Sequence, residues 1–79
     1  MEKEEIKKEV FNQFRKISAR PGQSLDAQWY SKFWKELNEE DREKAKDAIK
    51  EMEDEGLIKK QAMLSAETLV LTDEGAQKL

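Results

Sequence analysis

The side chains that most often run chemistry are missing from this sequence. It contains no histidine and no cysteine, which removes the commonest general base, the thiol nucleophile and the zinc ligand sets built on either. Carboxylates and amines remain, in no motif that would bury or perturb them. Glu39-Glu40-Asp41 is the densest acidic run. Consecutive residues on a helix diverge by about 100° each, so these three cannot converge on one cation in the way an oxygen-ligand site requires. The three glycines, Gly22, Gly56 and Gly75, are isolated turn or cap positions, and none belongs to a phosphate-cradling loop. No enzyme, metal site or cofactor is expected.

Binding side chains are better represented. Tyr30 and Trp34 stand four residues apart in a run of aromatics, and aromatics of amphipathic character are frequent at interfaces. Arg42, Lys46 and Lys50 also recur at four-residue spacing, followed by Lys59 and Lys60. Glu43 lies three residues before Lys46, and Asp47 three before Lys50. On a helix these are surface neighbours, so the basic row equally suits a solvated face of paired charges.

The elements that must position these groups follow from periodicity. Ile6, Val10, Phe14 and Ile17 mark one face of a first helix over about 3–19, with Phe11 at the edge of the stripe. Arg20-Pro21-Gly22-Gln23 is the clearest turn, since Pro fixes φ and Gly admits the positive φ after it. Ser24 is the expected cap of a second helix over about 25–37, with Trp29, Phe33 and Leu37 in the core. Tyr30 and Trp34 fall to one side of that arc, where Trp34 either covers the first helix or joins a partly exposed Tyr30 in a partner-binding patch. Asn38 opens a third helix with Ala45, Ala48, Ile49 and Met52 buried; its row of Arg42, Lys46 and Lys50 runs from the flank of that stripe to the solvent side. Gly56 ends it. Leu57–Leu64 and Thr68–Thr72 read as strands, joined by Ser65-Ala66-Glu67, and Thr72 caps a short last helix.

At 79 residues the chain makes one domain, spanning 1–79. With 42% charged residues and a mean hydropathy of −0.99 it has the composition of a disordered segment, but the coherent apolar stripes predict a folded one. No apolar run approaches the ~18 residues of a membrane span. Met1-Glu2-Lys3-Glu4-Glu5 has no apolar stretch of a secretory leader, and without cysteine a cytoplasmic setting is the expectation. Charge is uneven: residues 1–20 carry six Lys or Arg against four Asp or Glu, whereas residues 38–56 carry four against nine. A nucleic-acid binder gathers positive charge where it meets phosphates, so the acidic third helix counts against DNA.

The order of three helices, two strands and a terminal helical turn is that of a winged helix-turn-helix domain, an α+β fold. Residues carry the likeness as well. Ala45 to Ile58 resembles the recurring "A-I-x-x-L-x-x-x-G-L-I" of these domains, and Leu71-Thr72-Asp73-Glu74-Gly75 resembles the "L-T-x-x-G" that follows the wing in MarR-type and PadR-type transcriptional regulators. The resemblance implies that the third helix is a recognition helix for the major groove and that Ser65-Ala66-Glu67 is the tip of the wing. It makes Arg42, Lys46, Lys50, Lys59 and Lys60 the candidates for contact with duplex DNA in a small regulator. The departures are an acidic Glu67 in place of a basic wing tip, the missing Asp-x-Arg of many MarR-type wings, and no length for dimerising helices. The alternative is a winged-helix protein-interaction module, or a homodimer, using the acidic helix 38–56 or the Tyr30/Trp34 surface.

Overall fold

The computed structural model describes residues 1–64 and 66–79. Its elements run α1 (Lys3–Lys16), α2 (Ala27–Glu36), α3 (Glu39–Asp54), β1 (Ile58–Ala62), β2 (Glu67–Leu71) and α4 (Asp73–Gln77). The two strands form an antiparallel hairpin in which Ile58 faces Leu71 and Ala62 faces Glu67. The described residues therefore make an α+β fold of four helices and one hairpin. None of those helices is long and apolar enough to cross a membrane. Ser65, expected in the hairpin loop, lies outside the described residues.

Local signals place α3 and α4 where the sequence predicts them. The Asn38 side chain accepts from the Asp41 N–H at 2.8 Å. At the other end Gly56 takes a φ of +78°, its N–H donates to the Glu53 carbonyl, and the Leu57 N–H donates to the Met52 carbonyl. That pair of bonds closes a helix whose next residue is left-handed, and Leu57 folds back onto Met52 in the core. The Thr72 side chain likewise accepts from the Gly75 N–H at 2.9 Å to begin α4.

α2 departs from expectation. It begins at Ala27, capped by the Asp26 carboxylate, which accepts from the Gln28 N–H at 2.9 Å. Ser24 does not cap it but forms an antiparallel bridge with Val70. Around that bridge the Leu25 N–H donates to the Leu69 carbonyl, and Gln23 and Gly22 exchange bonds with Leu71. The segment thus covers the second edge of β2, and the hydroxyl of buried Thr68 donates to the Leu25 carbonyl at 2.7 Å. α1 also stops earlier than its periodicity suggests, at Lys16, where Ser18 turns left-handed with φ +52°.

α1 packs along α3, and α2 lies against β2. One core cluster gathers Val10 and Phe14 of α1 with Ile49, Met52, Leu57, Ile58, Leu69 and Leu71. A second joins Ile6 and Leu37 to Ala45 and Ala48, whose small side chains let α1 come close to α3. The same two helices are tied at the surface: Lys3 and Lys7 of α1 both donate to the Glu51 carboxylate, Lys7 at 2.9 Å. Those bonds hold the Glu51 carboxyl down at about 2.

A Cβ added at Gly75 would stand 2.1 Å from the Leu57 carbonyl oxygen and 2.9 Å from the Leu71 side chain. Gly75→Ala should therefore cost at least about 2 kcal/mol, in the range of overpacked cores, and a lowered urea midpoint would register it; an unchanged midpoint would refute the close approach. For Glu51, the folded carboxyl titrates below its ordinary value of 4.5, so the contact stabilises the fold above that pH and is lost as pH falls towards 2. The effect is small, because Glu51 keeps 41% of its side-chain surface exposed and solvent screens it. Glu51→Gln should be less stable than the natural chain at neutral pH and equal to it near pH 2, as denaturation at the two values would show.

Candidate functional site: an aromatic cleft with a basic rim

The turn from α2 into α3 is only Leu37 and Asn38 long, so the two helices meet at a fixed corner. The Trp34 carbonyl there accepts from the Leu37 N–H at 3.2 Å and from the Arg42 Nε at 3.1 Å. Arg42 thereby fastens the second turn of α3 to the last turn of α2. Between this corner and the hairpin opens a cleft of about 520 Å³. Buried Tyr30 and Ile49 form its floor with half-buried Trp34, and Lys35, Arg42, Lys46 and Lys60 stand around it. Glu67 and Ala66 close the hairpin side.

The structure divides the five expected basic contacts. Arg42, Lys46 and Lys60 share the rim of the cleft. Lys50 does not join them: one residue past Ile49, it turns about 100° away into an outer row with Glu43, Asp47 and Asp54. Lys59 is separated by the alternation of strand side chains and lines a second, shallow hollow beside Asp73 and Glu74. The three that do converge are partly engaged. Arg42 holds the Trp34 carbonyl, Lys46 lies 3.3 Å from Glu43, and Lys60 lies 3.6 Å from Glu53. Exposed α3 residues comprise five carboxylates (Glu39, Glu40, Glu43, Asp47, Asp54) against Arg42, Lys46 and Lys50.

Tyr30 corrects the expectation of a partly exposed ring: it is 4% exposed and belongs to the core. Trp29 and Phe33, expected in the core, are instead half-buried and stack on each other at 5.4 Å. Leu25, counted as a helical residue, widens the apolar arc towards Trp29; it is held instead beside β2, outside α2. Of the arc that remains, Tyr30 and Trp34 turn inward where α2 lies against β2, and Leu37 is buried just past the last turn. Trp34 packs against both core clusters, including the one containing Ile6 of α1, and stands edge-on to Tyr30 at 6.0 Å and 87°.

Lys35, on the rim of the cleft, is not among the basic residues that spacing on the third helix and the strands singles out. The signal for it was present, since Tyr30-Ser31 and Trp34-Lys35 are adjacent pairs four residues apart and so share one side of α2. Among the described residues, no group of three or more carboxylates is placed to hold a metal ion, and no buried side-chain nitrogen or oxygen lacks a hydrogen-bond partner. The cleft is suited to binding through apolar contact and positive charge. No protein family, curated protein or solved structure matches the chain.

Burial pushes the Tyr30 hydroxyl up to about 12. It is the sole tyrosine, so an ultraviolet titration of phenolate formation reports this ring alone. A midpoint near 12 is expected, whereas an exposed ring would titrate near its ordinary value of about 10. Because the folded value is raised, the stability tied to the neutral hydroxyl is complete below pH 10 and is lost as pH climbs towards 12.

Proposed function

We propose that this chain is a winged helix-turn-helix domain that works as a non-catalytic protein-interaction module, with the cleft beside Trp34 as its binding site. The fold reading is supported by the order of α1, α2, α3, the hairpin and α4, by the short corner between α2 and α3, and by the bridge at Ser24, which adds a third strand-like edge beside β2. Under this reading β1 and β2 are the wing.

The observation that carries the choice of partner is the disposition of charge on α3. A recognition helix meets the major groove with its exposed face, and here that face carries five carboxylates against three cations, two of them engaged at 3.1 and 3.3 Å. Phosphates would be repelled along its length. The wing adds no compensation, since Lys59 and Lys60 point to opposite faces and the described residues nearest its tip are Leu64 and Ala66. Leu64 is fully exposed and Met63 is half exposed, a surface suited to apolar contact.

Duplex binding, the first expectation from the resemblance, retains one supporting observation in the shared rim of Arg42, Lys46 and Lys60. Titrating the amide-labelled protein with a mixed-sequence duplex at low salt separates the two readings. The expected outcome is an unchanged NMR spectrum. Shifts along Arg42–Lys50 and the hairpin that reverse as salt rises would establish phosphate contact and overturn the interaction-module reading.

A further inference from the structure

We infer that the cleft takes an acidic segment of a partner protein, with one apolar side chain seated against Trp34 and carboxylates on the rim. This rests on the interaction-module reading and adds the chemistry of the partner. Lys35, Arg42, Lys46 and Lys60 converge there, and among the described residues Glu67 is the one carboxylate lining the same space. On a chain of net charge −3, the cleft is thus a local reversal of sign. That reversal sits over an apolar floor, and the pairing of the two properties selects for an occupant having both.

Three of the four cations, Arg42, Lys46 and Lys35, keep capacity for such an occupant, while Lys60 lies 3.6 Å from Glu53. Arg42 uses Nε on the Trp34 carbonyl, which leaves the paired terminal amino groups of a planar fork suited to a carboxylate. Lys46 and Glu43 are 65% and 75% exposed, and an ion pair of that kind exchanges readily for another. Lys35 makes no ion pair within 4.0 Å among the described residues. A partner carboxylate would meet these groups over Trp34 and Ile49, where partial exclusion of water strengthens charge-assisted bonds.

Cations beside aromatics also suit single-stranded nucleic acid, which stacks its bases on exposed rings. The rings here are poorly disposed for it. Tyr30 is buried, and Trp34 stands nearly perpendicular to both Tyr30 and Phe33, at 87° and 79°, so there is no continuous stacking platform. A phosphate backbone leaving the cleft would also pass Glu67 or the Glu43/Asp47 row. A peptide carries its charge at separate side chains and avoids both.

Panning a random peptide library against the intact protein tests the inference, with a K46E/K60E variant, shown folded by its NMR dispersion, as the comparison. Enriched peptides should be acidic and carry a large apolar residue. They should shift the amides of Trp34, Lys46 and Lys60, and bind the variant at least about tenfold more weakly. Peptides that map to Trp34 without acidic bias, or that bind the variant equally, would overturn this inference and leave the interaction module standing. Failure to enrich any peptide would overturn it too. If an oligothymidylate then shifted the same amides, the interaction-module reading would fall with it, in favour of single-stranded nucleic acid.

Discussion

The joint between the end of α3 and the start of α4 fixes the rest of the molecule. Thr72 makes three bonds there: its hydroxyl donates to the Gly56 carbonyl at 2.5 Å, its side-chain oxygen accepts from the Gly75 N–H, and its own N–H donates to the Leu57 carbonyl at 3.2 Å. Gly75 lies flat against that Leu57 carbonyl, where no side chain fits. Both ends of the hairpin are therefore clamped at its base. With the base fixed, Ile58, Leu69 and Leu71 are held in the core, and Lys60 is aimed at the cleft while Lys59 is aimed away from it.

This joint also gives a physical reason for the two sequence patterns that suggested the fold. "G-L-I" leaves a helix through a left-handed glycine, and "L-T-x-x-G" returns from a strand into a helical turn; here the two patterns are the halves of one contact. Such signals were legible because each is local. Asn38, Gly56 and Thr72 act within a few residues of themselves, and caps can be read from residue type and position alone. The beginning of α2 was not legible for the opposite reason. Ser24 and Leu25 are claimed by Val70, Thr68 and Leu69, more than forty residues away, and nothing near Ser24 announces that pairing.

Which side of the α2 arc turns inward, Tyr30 and Trp34 ahead of Trp29 and Phe33, is likewise set by how α2 lies against β2, and no local pattern announces it. The basic residues fared better along α3, where spacing fixes the face, and worse on the hairpin, where two adjacent lysines look alike in the sequence and end on opposite sides. α3 itself shows how closely a helix can be partitioned. One stripe is buried; a second meets the lysines of α1; a third lines the cleft; a fourth, acidic, is left to solvent.

The stack of Trp29 on Phe33, apart from the cleft, has a practical consequence. The chain has two tryptophans, and they occupy unlike settings: one lies against a phenylalanine at 15° between ring planes, the other lines the cleft. Replacing Trp29 with phenylalanine would leave a single indole, whose emission then reports the polarity and water content of the cleft alone. The molecule in this way carries a built-in optical gauge of occupancy, requiring no attached dye.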